Sequence, residues 1–216
     1  MRLFIAAILA CTPSVLFAGE MISEPTGGRT TQPIGHYDFC KDQPGECGPT
    51  TDNGSVKFTK SLKQKLISVN NSVNSRIKPL SDLDHYGKDE VWAYPSDGYG
   101  DCEDYALKKR RELAHQGKIP FSDLLLTVVK QPNGEGHTVL TVRTDQGDFI
   151  LDNLEHKVMR WDATPYTYLK RQSSQNAGQW VTILDSRGKK VAEAEPKVDE
   201  TAILIDLANK AAIKSP

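Results

Sequence analysis

Asp101-Cys102-Glu103-Asp104-Tyr105 follows the glycines of Asp97-Gly98-Tyr99-Gly100 and places one cysteine between acids, at what reads as the start of a helix. His137 and Asp152 come later, on segments that read as neighbouring strands. A thiol is a useful nucleophile only as thiolate, and a helix N-terminus with an imidazole nearby favours that form. In this order the three residues describe a Cys-His-Asp hydrolase site, with Cys102 as nucleophile, His137 as base and Asp152 as the acid that orients the base. Each also has an ordinary reading. Cys102 suits a small buried hydrophobe, His137 a satisfied strand histidine, and Asp152, beside Asn153, a strand-ending turn former. Their combination and the polar, glycine-preceded setting of Cys102 favour catalysis.

The cysteine inventory points the same way. Met1-Arg2, an apolar run from Leu3 to Phe17 and the exit Phe17-Ala18-Gly19 have the layout of a secretory signal peptide, too short to span a bilayer. Export to the periplasm is the expectation, with cleavage after Ala18. Ile8-Leu9-Ala10-Cys11 also resembles a lipoprotein box, but its single charged leader residue ranks lipid anchoring, like full secretion, below simple cleavage. Loss of the leader removes Cys11 and leaves Cys40, Cys47 and Cys102. In an oxidising compartment Cys40 and Cys47 can close a small disulfide loop bent at Pro44-Gly45, which leaves Cys102 unpaired and in need of a reason. A metal reading of Cys40 and Cys47 is weaker, because no second Cys/His pair stands at ligand spacing.

About 198 residues remain after such cleavage, enough for one domain with a core. The formal net charge of −1 argues against nucleic acid or an anionic membrane as the main partner. The expected organisation is a leader over 1–18, an N-terminal segment with the disulfide loop over 19–57, a proteinase-like domain over 58–190, and a tail or helix over 191–216. Leu62, Leu66, Val69, Val73 and Ile77 recur at helical spacing and predict an amphipathic helix from about Phe58 to before Pro79. Ser81 to Tyr99 reads as loop. A second helix is expected from Cys102 to Gly117, with Lys108 to Arg111 on its later turns, where cations suit the dipole. Residues 124–129, 137–143 and 148–152 then read as strands of an antiparallel sheet. Trp161, Tyr166, Tyr168 and Trp180 to Leu184 suggest one or two more strands before a turn at Asp185–Gly188, and 199–212 suggests a terminal helix. If the second and third strands pair Arg143 with Asp148, residues whose numbers sum to an odd value share a face, which brings His137 beside Asp152.

The runs Gly100-Asp101-Cys102-Glu103-Asp104-Tyr105-Ala106, His137-Thr138-Val139-Leu140-Thr141-Val142 and Leu151-Asp152-Asn153-Leu154 resemble the bacterial transglutaminase-like cysteine proteinases, including the periplasmic LapG-type group. The resemblance extends from about Cys40 to Leu184. It implies an α+β, papain-like or transglutaminase-type core of helices packed on an antiparallel sheet, with the same roles for Cys102, His137 and Asp152. It also implies a calcium site, a large surface adhesin as protein substrate, and an inner-membrane cyclic-di-GMP receptor that sequesters the enzyme.

Asp101 and Glu103 call for a cation on their own account. Two carboxylates beside a thiol oppose its ionisation, and calcium is a hard cation that takes carboxylate oxygens. They could equally be first-turn acids favoured by the helix dipole, as Asp104 is expected to be. Two other functions stay open at this stage: a transglutaminase-like acyl transferase, because sequence does not separate amine from water as acceptor, and a non-catalytic calcium-binding protein.

Overall fold

The computed structural model describes residues 23–188. The expected leader, Cys11, the Ala18 cleavage site and the terminal helix at 199–212 lie outside the described residues. In chain order the elements are β1 (Thr26–Thr30), α1 (Ile34–Asp42), α2 (Lys60–Arg76), β2 (Lys78–Pro79), α3 (Asp82–Tyr86), β3 (Tyr99–Gly100) and α4 (Cys102–Gly117). The strands β4 (Leu124–Lys130), β5 (Gly136–Thr144), β6 (Gly147–Leu151), β7 (Met159–Arg160), β8 (Thr167–Ser173) and β9 (Asn176–Ile183) follow.

Seven strands form one antiparallel sheet in the order β1-β9-β8-β4-β5-β6-β7, and β2 and β3 make a small parallel pair. The middle strands are covered on both faces, which is why Leu124 to Val129 reads as an unbroken apolar run rather than an alternation. On one face Leu66, Val69 and Val73 of α2 and Leu107 and Leu113 of α4 pack against Leu124, Leu126, Leu140, Val142 and Leu151. Val129, Val139, Ile150, Trp161 and Tyr168 form the cluster on the other face. Each fully buried leucine contributes ~2 kcal/mol from removal of apolar surface alone, so the helix-covered face is the main anchor of α4.

α2 begins where Thr59 accepts a hydrogen bond from Leu62 N–H at 3.1 Å and ends before Ile77, as its apolar spacing predicts. α4 spans the expected Cys102–Gly117. Gly117 is its last residue, and Lys118 takes the left-handed conformation (φ 53°), closed by Ile119 N–H on Leu113 O at 3.3 Å. Within the basic run of α4, Lys109 and Arg110 are buried. Burial pulls the Lys109 ammonium down to about 7, against the pull of Asp152. Trp161 and Tyr166 fall in a turn and a loop rather than in strands, because a helical turn at Trp161–Ala163 and then Pro165 intervene. β1, α1 and α3 carry too few periodic apolar positions to be read from sequence.

Arg110 explains how the disulfide loop is seated. Its Nη1 is 3.2 Å from Glu46 Oε2, its Nη2 donates to Glu46 O at 3.2 Å and its Nε donates to Leu124 O at 3.1 Å. The Tyr94 hydroxyl also donates to the Glu46 carboxylate, at 2.6 Å. Cys40 and Cys47 are bonded on either side of this anchor. Closing so short a loop is worth about 2.5 kcal/mol of chain entropy. Cys40→Ser with Cys47→Ser should therefore lose stability by about that amount in urea unfolding, and thiol mapping of the wild type should find Cys102 free.

Candidate active site

Cys102 is the first residue of α4, and Asp101 is its N-cap. The cap carboxylate makes no capping hydrogen bond, and its Oδ2 instead receives Asp82 N–H at 3.4 Å. Gly100 is required here by space: a Cβ would stand 2.6 Å from Asp104 Oδ2. Asp104 itself is fully buried and accepts Ala93 N–H at 2.8 Å, tying α4 to the segment that carries Trp92. Burial raises its carboxyl to about 8.

β5 and β6 are joined with Arg143 opposite Asp148, the expected register, through a turn in which Thr144 still pairs with Gly147. Gly147 has φ 112°, a conformation that L side chains rarely adopt. The register sets His137 beside Asp152, and His137 Nε2 lies 2.8 Å from Asp152 Oδ1. By strand alternation both belong to the face of Val139 and Ile150, the side away from α4. Cys102 approaches the start of β5 from the helix side, and Thr138 N–H points to its sulfur. Cys102, His137 and Thr138 line one cleft of about 630 Å³ together with Asp82, Asp101, Glu103 and Trp92.

The thiol is the free cysteine of the described residues and is half-buried. Its hydrogen bond goes to Glu103 Oε2 at 2.9 Å, not to His137. Burial, then the charge and hydrogen bond of Glu103, push the thiol well above its ordinary range, against the favourable Thr138 N–H. Asp152 shows the opposite balance. Burial alone would raise it, but the hydrogen bond and charge of His137, the Tyr166 hydroxyl and Leu154 N–H together hold its carboxyl below the ordinary value.

Beside the thiol, Asp82, Asp101 and Glu103 each offer a carboxylate oxygen, all within 4.8 Å of one another. Asp82 Oδ1 and Asp101 Oδ1 are buried and have no hydrogen-bond partner. Burial raises all three carboxyls, Glu103 up to about 8 with the further push of Asp101. Crowded, buried and partly unsatisfied oxygens of this kind suit a hard divalent cation. The sequence points to Asp101 and Glu103 but not to Asp82, which sits 20 residues upstream at the start of a five-residue helix read as loop. His36, Cys40 and Cys47 also lie within 4.8 Å, but the two sulfurs are bonded to each other and His36 is held between Trp92 and Trp180. Of the aromatic residues in the segment before β3, Trp92 reaches the cleft, whereas the Tyr94 hydroxyl is committed to Glu46.

Comparison with known proteins adds three solved structures. Legionella pneumophila LapG in calcium-bound form is 24% identical, with 63% of this chain and 74% of that chain covered and a TM-score of 0.48. A second LapG structure from the same organism is 28% identical over 61% and 75%, with a TM-score of 0.47. The EGTA-treated form is 25% identical over 58% and 69%, with a TM-score of 0.48. No curated protein matches the chain. The family model described as bacterial transglutaminase-like cysteine proteinase BTLCP matches residues 26–188, a span that takes in every element from β1 to the turn after β9. The chain belongs to the bacterial transglutaminase-like cysteine proteinases.

Proposed function

We propose that the protein is a calcium-dependent cysteine endopeptidase of the periplasm. The observation that carries the reading is the placement of Cys102 at the start of α4, in one cleft with a His137 imidazole already bonded to Asp152. For reaction the thiol turns from Glu103 to His137, which takes its proton, and the thiolate attacks a peptide carbonyl carbon. His137 returns the proton to the leaving amine, and water, activated by the same imidazole, hydrolyses the thioester to release the acid and restore the thiol. The first backbone N–H groups of α4 lack intrahelical acceptors and are the natural donors to the oxyanion. Asp152 fixes the imidazole tautomer through Nε2, which leaves Nδ1 for the sulfur.

Asp82, Asp101 and Glu103 would hold calcium, whose charge there compensates the carboxylates that oppose thiolate formation. The family resemblance supplies the partners in this reading: a large surface adhesin as substrate and a membrane-bound cyclic-di-GMP receptor as the regulator. Among the described residues no helix is long and apolar enough to cross a membrane.

Iodoacetamide alkylation of Cys102 tests both halves without a known substrate. Chelator should slow it by at least ~10-fold, one unit of thiol ionisation, and added calcium should restore it. Calorimetry should register calcium uptake by the chelator-treated protein. Equal rates with and without chelator, and no heat, would remove the metal. Alkylation no faster than that of a free thiol in calcium would remove the peptidase.

A further inference from the structure

Tyr166 donates its hydroxyl to Asp152 Oδ2 at 2.5 Å, on the carboxylate oxygen that His137 does not use. Its ring lies 5.6 Å from the His137 imidazole, tilted by 60°. The residue is held from behind. Arg187 Nη2 donates to Tyr166 O at 3.4 Å, and the same guanidinium lies 4.5 Å over the Trp161 ring and is bonded to Asp185. We propose that Tyr166 is a fourth, positioning member of the catalytic set, which clamps Asp152 and draws charge from it so that the carboxylate stays ionised behind His137. The inference deepens the endopeptidase reading and rests on it for the word catalytic, but not for its geometry.

The chemistry follows from the surroundings. Asp152 is almost fully buried and would be protonated readily without donors. His137 on β5 and Leu154 N–H both approach Oδ1, and Lys109 on α4 adds a positive field. Tyr166 is the donor to Oδ2. Tyr168 on β8 and Glu155 are further titratable groups in this field, the first interacting with Asp152 and the second with Tyr166. Burial and the bond to Asp152 push the Tyr166 phenol up, so it stays a neutral donor across the working range. A hydrogen bond to a charged acceptor is worth ~10-fold or more in equilibrium terms.

The test follows the Asp152 carboxyl directly by carbon-13 NMR titration, assigned with Asp152→Asn, in the full mature chain with calcium. Tyr166→Phe keeps the ring in a half-buried place, so the fold should persist, with an unfolding temperature lowered by only a few degrees at neutral pH. The Asp152 titration midpoint should move to higher pH, corresponding to a ~10-fold or larger increase in proton affinity. Below neutral pH the alkylation rate of Cys102 should fall in parallel. Replacing Tyr166 with 3,5-difluorotyrosine, a more acidic phenol and stronger donor, should move the midpoint the opposite way. Superimposable Asp152 titrations in wild type and Tyr166→Phe would overturn the inference, as would movement of both variants in one direction. An unreactive Cys102 with the predicted Asp152 shifts would instead defeat the peptidase reading alone.

Discussion

Cys102→Ala should abolish peptide-bond cleavage, a loss on the order of 10^5 to 10^6 in turnover, with the folding transition nearly unchanged. In the proposed mechanism the sulfur is the attacking atom, so no neighbouring group can replace it. Its removal costs little structure, because Cys102 is half-buried and its side-chain contacts are the Glu103 carboxylate and Thr138 N–H. Asp82, Asp101 and Glu103 remain, so calcium uptake should survive in the variant. That pairing separates the nucleophile from the metal site in one protein. Near-normal cleavage of a protein substrate by Cys102→Ala would reject the mechanism outright.

The two strand residues of the site were legible because β pairing is a parity problem. Once Thr144–Gly147 closes the hairpin with Arg143 opposite Asp148, His137 and Asp152 share a face whatever the sheet does elsewhere. Cys102 was legible from its glycines and acids, and α2 from its apolar spacing. What periodicity does not carry is the sign of a helix face in tertiary context. Lys109 and Arg110 look like dipole-compensating cations, yet Glu46, 64 positions earlier in the chain, reaches Arg110 through the disulfide loop. The contact exists only after folding.

The same limit hid Asp82 and Tyr166. Neither belongs to a run with its own pattern. Asp82 follows an ordinary N-cap serine in a short helix, and Tyr166 follows a proline in a loop. Both act on the site through oxygens that converge from far along the chain, Asp82 beside Asp101 and Tyr166 behind Asp152. The sequence also asks for an imidazole near the Cys102 thiol, whereas the structure gives the thiol's hydrogen bond to Glu103, a side-chain choice that no sequence pattern carries.

Asp152→Ala should lower turnover by on the order of 10^3 to 10^4, and Asp152→Asn by much less, about 10- to 100-fold. In a triad whose aspartate offers no other mark of which oxygen faces the imidazole, an amide is free to present its NH2 and force the wrong tautomer. Here Oδ1 accepts from both His137 Nε2 and Leu154 N–H, at 2.8 and 2.9 Å, whereas Oδ2 meets the Tyr166 hydroxyl, which can also accept. Asparagine therefore keeps its carbonyl on Oδ1's position and turns its NH2 toward Tyr166, retaining the tautomer and losing only the negative charge. Alanine loses both and leaves Leu154 N–H and the Tyr166 hydroxyl without their acceptor. Kinetics of the two variants on one substrate, with melting curves as the folding control, decide the matter. If Asp152→Asn falls as far as Asp152→Ala, the charge of Asp152 rather than the tautomer it enforces is what His137 requires.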